Sequence, residues 1–481
     1  MSTKNKTIPD DLYCNPLPLP DLGRGYFGSV KNKIDDRKFM GEPRDFREVA
    51  DPEALWYNNA WYVYPSIRQA YVSYNKTDWT YQPIDIEYPL GYAPTITKIR
   101  DRFLLTSCIP YGQSAVRLFE GATPLGPFKC LGTPHDIHGK EFQYFVDPAL
   151  FTDDDGRLYL FWGCAPVGKG IYGVELDANN PLQAISDIVT LIKFDSNNPW
   201  EHYGEYGEHP QYGWDEGASM FKHNGEYYLQ YSACGTGFRH YSLACYRSKE
   251  SPLGPFTAPS APMLITPHGI VTGTGHGGMT QGPDGSIWQF YTCLIRRVHD
   301  VERRIGMDRV SFDTTGEPHI TATSVPQSIS RGDLGWLPVS VNKFVKASSW
   351  MYGLYGNYAV DDCPHTCWAP LPEDKKPQLR VDLAEEFSVC AARIIWTEMN
   401  LDYDKGLIPE PVAFKINFFD CHGSKIGSFL DKSQNKVDHN IEFVTWNPVN
   451  ARYVELEILT HEKIHHGVGN FTVFALPQDR I

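Results

Sequence analysis

Residues 215–229 read DEGASMFKHNGEYYL, and the order of parts in this stretch predicts the fold of most of the chain. A polar lead is followed by an apolar stretch, an Asn-Gly turn and an apolar-aromatic run. Asn-Gly and Asp-Gly accept the positive φ of tight turns, so between β-prone runs they predict a β-hairpin. The same order of lead, apolar stretch, turn and apolar-aromatic run recurs at 51–64, 92–105, 147–160 and 275–290.

Five such hairpins along one chain are typical of small sheets stacked radially, as in the blades of a β-propeller. We therefore predict an all-β protein with a five-bladed β-propeller at residues 45–335. The first strand of each blade lines the axis of this fold, so the five lead motifs are expected to meet in one pocket. The Pro-Leu-Gly-Pro-Phe segments at 124–128 and 252–256 support a repeated scaffold.

The pattern changes after the fifth repeat. Several short segments from about residue 345 onward alternate apolar and polar residues, which predicts a β-sandwich at 345–481. Residues 1–44 are expected to form an N-terminal extension that packs on the propeller. The segments that alternate are 378–383, 413–418 and 452–458.

The composition excludes some classes of partner. The formal net charge of −14 and the lack of basic runs argue against nucleic acid and anionic membranes. No apolar run approaches the roughly 20 residues of a membrane-spanning helix. The N-terminus lacks the apolar segment of a signal peptide, and eleven scattered cysteines favour a reducing compartment. We expect a cytoplasmic protein, or a secreted or periplasmic one if a leader has been removed.

Three acidic residues stand at corresponding lead positions: Asp51, Asp147 and Glu216. Burying a carboxylate costs free energy unless the group is satisfied or used. A single Asp-Pro could serve only to start a strand. Three acids at the same place in three repeats instead favour a functional site. Such a cluster suits glycoside hydrolysis, in which one carboxylic acid protonates the leaving oxygen and an ionised one activates water or attacks the anomeric carbon. A third carboxylate raises the pKa of the acid.

These motifs together resemble glycoside hydrolase family 43, whose members are five-bladed propellers. The resemblance spans about residues 45–325. It implies Asp51, within 49–52, as general base and Asp147, within 145–149, as the residue that tunes the acid. It implies Glu216, within 214–218, as general acid. The family further implies inversion of configuration and glycans that contain arabinose, xylose or galactose.

Two more motifs carry the resemblance. Tyr92-Ala93-Pro94 is similar to the family's aromatic-Ala-Pro motif, and 273–276 is similar to its Gly-x-Gly-His motif. The family's histidine lies near the axis, often by water or calcium, which makes His276 a tentative metal ligand, directly or through water. Because Gly277 and Gly278 follow it where many members have a polar residue, water or a neighbouring carboxylate is an equal alternative.

Further residues are predicted to contact the sugar, and His276 is counted among them together with Arg303. Tyr92, Phe145 and Trp214 are expected to stack on it, each contributing roughly 1 kcal/mol by analogy with aromatic pairs; core packing is the alternative. The Gly-, His- and Tyr-rich segment 200–213 is expected to lie over the pocket and narrow it for exo action.

The family also implies an arginine near the acid. We favour Arg303 because of its position before 307–310, and we expect the other candidates to lie mostly in solvated loops. These other candidates are Arg296, Arg297, Arg304 and Arg309.

The C-terminal part resembles a discoidin-like sandwich, the fold of family 32 carbohydrate-binding modules. The matching stretches are 357–368 and 377–383, with Asp361-Asp362-Cys363-Pro364 where the family usually has Asp-Gly-Asn-Pro. This change weakens a calcium site there. Glycan binding and bracing of the propeller are equal alternatives for this domain.

The sequence therefore predicts an inverting, exo-acting glycoside hydrolase. It would release a terminal sugar, arabinofuranose or xylose in preference and galactose as a further option, from plant- or algal-type oligosaccharides. We expect no required cofactor, a possible structural calcium, and no partner besides the glycan. The alternative from another class is a glycan-binding protein without catalysis.

Overall fold

The computed structural model describes a protein built of β-strands. It covers thirty-two strands, three short 3-10 helices and no α-helix within the described residues. No helix in this part of the chain is long and apolar enough to cross a membrane. The predicted all-β class is confirmed. The described residues are 8–20, 26–27, 34–35, 48–66, 70–86, 90–108, 117–142, 146–164, 169–295, 302–431, 439–459 and 463–476.

Five four-stranded antiparallel sheets, blades I to V, follow one another along the chain. They are preceded by β1 (Leu12–Tyr13), β2 (Tyr26–Phe27) and β3 (Ile34–Asp35). Blade I contains β4 (Glu53–Tyr57), β5 (Ala60–Tyr64), β6 (Ala70–Ser73) and β7 (Thr80–Gln82). Blade II contains β8 (Thr95–Ile99), β9 (Arg102–Thr106), β10 (Leu118–Gly121) and β11 (Phe128–Gly132). Blade III contains β12 (Ala149–Thr152), β13 (Leu158–Cys164), β14 (Gly170–Leu176) and β15 (Val189–Ile192). Blade IV contains β16 (Glu216–His223), β17 (Glu226–Ala233), β18 (Ser242–Ser248) and β19 (Leu264–Ile265). Blade V contains β20 (Met279–Gln281), β21 (Ile287–Leu294), β22 (Arg303–Phe312) and β23 (Pro318–Ile320).

The first strands of the five blades form a closed ring. Strand β4 lies beside β8, β8 beside β12, β12 beside β16, β16 beside β20, and β20 beside β4 again. This closure confirms the predicted five-bladed propeller and places the first strands around its axis.

The hairpin between β16 and β17 illustrates why the repeat folds in this way. Asn224 and Gly225 have φ angles of 50° and 81°, a region that asparagine and glycine tolerate better than other residues. The chain therefore reverses within two residues, and His223 pairs with Glu226 at the start of the antiparallel register.

The C-terminal strands form one seven-stranded sheet that folds into two layers. Before it, β24 (Gln327–Ser328) pairs with β1 and with β25 (Gly332–Asp333). The strands of the sheet are β26 (Leu337–Pro338), β27 (Phe344–Ala347), β28 (Gln378–Glu398), β29 (Phe414–Phe419), β30 (Lys425–Leu430), β31 (Ile441–Ile458) and β32 (His466–Ala475). The 3-10 helices are Pro199–Glu201, Gly356–Ala359 and Tyr403–Lys405.

Strands β28 and β31 run through both layers. The early residues of β28 pair with β27 and with the end of β31, and its later residues pair with β32 and with the start of β31. Register shifts after Asp382 and after Val389 separate the two parts. Apolar side chains from both parts, such as Leu379 and Ile394, share one buried core with Ile416 and Phe471. The predicted β-sandwich is confirmed, whereas its likeness to discoidin domains and the proposed domain boundaries stay predictions.

Two buried arginines join the sandwich to the propeller side. Arg393 of β28 donates through Nη1 to the carbonyl oxygens of Asn15 and Ser324, both at 2.7 Å. Arg304 of β22 donates through Nε and Nη2 to Asn440 Oδ1 at 3.1 and 2.6 Å. Arg303 is the neighbour of Arg304 on β22, so this contact ties the sandwich to the strand that carries Arg303.

Candidate active site

The residues that lead the five blades share an unusual backbone conformation. Their φ angles are 49° at Asp51, 47° at Ala93, 48° at Asp147, 64° at Gly217 and 32° at His276. Such values are uncommon outside glycine and cost free energy that the surroundings must offset. The repetition indicates that each blade turns its lead residue towards the axis in the same way.

A side chain of the preceding blade accepts the backbone N–H of four of these leads. Each acceptor lies in the second strand or just after it. The backbone N–H groups of Ser66, Cys108 and Thr292 donate to the lead segments of their own blades, and Ser232 pairs with Glu216. These bonds are Asp51 N to Thr292 Oγ1 at 2.7 Å, Ala93 N to Ser66 Oγ at 2.8 Å, Asp147 N to Cys108 Sγ at 2.8 Å and His276 N to Ser232 Oγ at 2.8 Å.

Blade III differs because a glycine stands at the corresponding place. Gly163 N donates to the Val146 carbonyl at 2.8 Å, as Ser66 N donates to that of Ala50 in blade I. Since Gly163 has no side chain, the next lead finds another acceptor: Gly217 N donates to Asp147 Oδ2 at 3.0 Å. The Asp147 carboxylate is thereby held against the residue that follows Glu216.

Asp51 lies buried beside a cation and a hydroxyl group. Its Oδ1 accepts from Arg303 Nη1 at 2.7 Å, and its Oδ2 accepts from Ser66 Oγ at 2.6 Å. Burial by itself would raise the pKa of Asp51, but the charges of Arg303 and His276 and the Ser66 bond hold it below its usual value. Asp51 is therefore ionised at neutral pH.

Glu216 is equally buried but has only neutral hydrogen-bond donors. Its Oε2 accepts from Trp214 Nε1 at 2.6 Å, and its Oε1 accepts from the Tyr241 hydroxyl at 3.0 Å. Burial, followed by the charge of Asp147, raises the pKa of Glu216 to about 7. A large fraction of Glu216 is therefore protonated at neutral pH, opposite to Asp51.

Asp147 stands between these two carboxyl groups. Besides Gly217 N, it has Cys108 Sγ at 3.4 Å from Oδ1. Burial and the charge of Asp51 raise the pKa of Asp147 to about 7. Asp147 and Glu216 interact, so their protons belong to the pair, and apparent pKa values near neutrality describe both together.

His276 faces the two aspartates. Its Nδ1 lies 3.4 Å from Asp51 Oδ1 and 3.6 Å from Asp147 Oδ2. Burial lowers its pKa, although Asp51 and Glu216 oppose this effect. The structure thus shows His276 beside two carboxylates, and its role as a metal or water ligand stays a prediction.

The side chains near His276 do not make a metal site by themselves. Calcium takes roughly six to eight oxygen ligands, whereas His276 offers a ring nitrogen. Among the described residues, no group of three or more His, Cys, Asp or Glu side chains is placed to hold a metal ion. The calcium ion near His276 stays a prediction, and no chemical step below uses it.

Arg303 lies inside this site, and the other described candidates do not. Arg304 points the opposite way, to Asn440 in the sandwich, and Arg309 lies over the Trp288 ring at 5.0 Å. Arg296 and Arg297 lie outside the described residues. Alternation along β22 explains the opposite direction of Arg304, because neighbouring residues of a strand face opposite sides. Arg309 lies six residues further along the same strand, roughly 20 Å away.

The predicted aromatic residues have different outcomes. Trp214 lies on Glu216 and leaves 40% of its surface exposed, so its ring is available to a ligand. Tyr92 is half-buried, with Arg303 Cζ 5.9 Å from its ring centroid and its hydroxyl 3.4 Å from Glu48 Oε2. Phe145 lies outside the described residues.

Sequence reasoning missed several residues that hold the charged groups. Glu48 accepts from Arg303, Tyr241 donates to Glu216, and Cys108 contacts Asp147. For Glu48 a signal existed, since only the apolar Val49 and Ala50 separate it from Asp51. Cys108 follows β9 of blade II, and Tyr241 precedes β18 of the blade that Glu216 itself leads. Nothing local in the sequence marks either residue.

Comparison with known proteins agrees with the geometry. The family described as "Glycosyl hydrolases family 43" matches residues 57–318, more than half of the chain. "Beta-D-galactofuranosidase xynD" of Aspergillus niger is 28% identical over 306 residues, which cover 56% of this chain and 81% of that protein. "Xylosidase/arabinosidase 43A" of Humicola insolens is 25% identical over 327 residues, which cover 56% of this chain and 95% of that protein.

A solved structure supports the fold. A thermostable family-43 glycoside hydrolase aligns with 67% of this chain and 100% of its own, at 22% identity and a TM-score of 0.51. At this identity the likeness concerns the fold alone.

Proposed function

The chain belongs to glycosyl hydrolases family 43 and is a glycosidase; from this premise we propose that it is an inverting, exo-acting enzyme with Asp51 as base and Glu216 as acid. The observation that carries the proposal is the different surroundings of two buried carboxyl groups: Asp51 accepts from the Arg303 guanidinium, whereas Glu216 accepts from the neutral Trp214 and Tyr241. The pKa of Asp51 lies below its usual value, and that of Glu216 is raised to about 7. An ionised base and a protonated acid are the two states that glycoside hydrolysis requires.

The proposed reaction is a single displacement. Asp51 takes a proton from a water molecule while the water oxygen attacks the anomeric carbon. The bond between this carbon and the leaving oxygen breaks as Glu216 gives its proton to that oxygen. Asp147 keeps the proton on Glu216 before the reaction through its negative charge, and Arg303 keeps Asp51 ionised. Both groups then exchange protons with solvent to complete the cycle.

The proposed substrate is a glycan with a terminal arabinofuranose, xylose or galactofuranose residue. The names of the two relatives above support this range, which includes furanosides and a pyranoside. Exo action is supported by segment 202–213, which folds back on itself beside Trp214. Tyr203 N donates to the Tyr212 carbonyl at 2.9 Å, and Arg239 Nε donates to Glu205 Oε1 at 3.0 Å.

Three further proposals concern the rest of the protein. We propose that the sandwich braces the propeller, because the buried Arg393 and Arg304 cross between them. We propose that the reaction needs no cofactor. We also keep the cytoplasm as the proposed location, which the eleven free cysteines favour.

The test is turnover of aryl α-L-arabinofuranoside, β-D-xyloside, β-D-galactofuranoside and β-D-galactopyranoside by the wild type and by Glu216→Ala. Aryl leaving groups need little protonation, so the variant should retain turnover on them but lose about 10²–10⁴-fold on an oligosaccharide. Glu226→Ala, which removes an acid from the same blade that pairs with Arg247, is the control. Proton NMR of the first sugar released shows whether the configuration inverts.

Each outcome is informative. Equal losses on both kinds of substrate would remove Glu216 from the role of acid. Retention of configuration would refute the single displacement. If no glycoside is turned over while glycans bind, the non-catalytic alternative is favoured.

A further inference from the structure

Glu48 is a buried carboxylate that neither the family resemblance nor the proposed reaction uses. Only 2% of its surface is exposed. Its Oε1 accepts two bonds from one guanidinium, from Arg303 Nε at 2.9 Å and from Arg303 Nη2 at 2.5 Å. Its other oxygen, Oε2, accepts from the Tyr92 hydroxyl at 3.4 Å. Glu48 therefore touches both an arginine and an aromatic residue of the site.

The remaining guanidinium nitrogen of Arg303 holds the base. Arg303 Nη1 donates to Asp51 Oδ1 at 2.7 Å and to Thr236 Oγ1 at 2.6 Å. The backbone fixes the same arrangement, since Val49 N donates to the Arg303 carbonyl at 3.0 Å. The planar guanidinium thus lies between two carboxylates, and the edge bound by Glu48 determines where the other nitrogen points.

The charges of Arg303 and Glu48 have opposite effects on the base, Asp51. Two carboxylates share one cation, so the attraction that Asp51 feels from Arg303 is offset by repulsion from Glu48. A base must be ionised, yet it must still be basic enough to take a proton from water. If the charge of Glu48 were removed while Arg303 kept its place, Arg303 would attract Asp51 without this offset and would make it a weaker base.

We propose that Glu48 is a positioning residue that fixes Arg303 and Tyr92 around the base and offsets the charge of Arg303. This inference rests on the proposed function, in which Asp51 activates water. It also assigns Tyr92 a fixed place at the sugar, because its hydroxyl and its ring are held by the same Glu48–Arg303 pair.

Two substitutions separate position from charge. Glu48→Gln keeps an Oε1 that can accept both Arg303 bonds but removes the charge. Glu48→Ala removes both, and a misplacement of about 1 Å in such a site can lower the rate by on the order of 10²-fold. The matched control is Glu302→Gln, because Glu302 is also a buried acid near an arginine, Arg304 at 3.5 Å, on the side that faces the sandwich.

The assay is kcat/KM against pH with an aryl glycoside, since that substrate depends on the base more than on the acid. We expect Glu48→Gln to lose about tenfold and to move the acidic limb to lower pH, because Asp51 becomes easier to ionise. Glu48→Ala should lose about 10²-fold, with KM raised as Tyr92 is released. Glu302→Gln should keep the wild-type limb. An unchanged acidic limb in Glu48→Gln, or full activity in Glu48→Ala, would overturn the inference.

A structural readout keeps the test independent of activity. Crystal structures of the wild type and Glu48→Ala should show Arg303 Nη1 within hydrogen-bonding distance of Asp51 only in the wild type. If the contact persists in the variant, Glu48 does not position Arg303, whatever the rates. If the wild type turns over no glycoside, the proposed function fails while this measurement still decides the role of Glu48.

Discussion

Asp147→Asn should move the basic limb of the pH profile without removing the acid. Burial and the Asp147 charge raise the pKa of Glu216 to about 7 from an ordinary 4.5. Burial is the larger cause and the like charge of Asp147 the second, so we expect the pKa of Glu216 to fall by about one unit when that charge is removed. Glu216 acts in its protonated form, so activity is lost as pH rises through its pKa. A lower pKa therefore moves this loss to lower pH.

The substitution is chosen to keep the local geometry. An asparagine at this position retains an oxygen that can accept from Gly217 N, which Asp147 Oδ2 does at 3.0 Å. The measurement is kcat/KM between about pH 4 and 9 on an oligosaccharide, whose leaving group needs the acid. Asp153→Asn removes the same charge from the end of β12, where it pairs with Lys222, and should leave the limb in place. If the limb of Asp147→Asn coincides with that of the wild type, Asp147 does not keep Glu216 protonated.

Two further predictions concern stability. Cys108→Ala leaves the Asp147 N–H without its acceptor and should lower the free energy of unfolding by about 1–3 kcal/mol. Cys108→Ser should retain most of this stability, since serine holds the equivalent place in blade I. Denaturant unfolding of both variants measures the difference, and equal stability of the two would contradict the prediction. Asn440→Ala removes the acceptor of two Arg304 bonds and should cost about 3 kcal/mol, which thermal unfolding would register as a lower Tm; an unchanged Tm would argue against bracing by the sandwich.

The fold followed from local sequence signals. Turn residues such as Asn224-Gly225 determine where each hairpin reverses, and five similar hairpins leave few architectures that bury their apolar faces. Asp51, Asp147 and Glu216 were identifiable because acids are rare at the start of an apolar strand. The prediction that they correspond holds for the two aspartates, whereas Glu216 lies one residue before their counterpart, Gly217. The two-layer sandwich followed from strands that alternate apolar and polar residues.

The partners of the catalytic groups could not be predicted in the same way. Cys108 meets Asp147 because blades II and III pack against each other, whereas Tyr241 meets Glu216 across the strands of blade IV. Both contacts depend on strand register. Arg303 and Arg304 differ in which face of β22 they lie on. The sequence alone does not give this face, because it depends on where the strand starts. Segment 200–213 was recognisable as a loop, but the residue that holds it, Arg239, belongs to blade IV and bonds to Glu205.

The opposite ionisation of Asp51 and Glu216 is a consequence of where the propeller closes. Both carboxyl groups are buried to a similar degree at equivalent ends of first strands, so burial alone would raise both pKa values alike. The difference is the cation: Arg303 belongs to blade V, the last in the chain, and Asp51 leads blade I, the first. Ring closure between these two blades gives the base a guanidinium. Glu216 belongs to blade IV, and its donors among the described residues are Trp214 and Tyr241. The base and the acid are therefore distinguished by the contact between the two ends of the propeller.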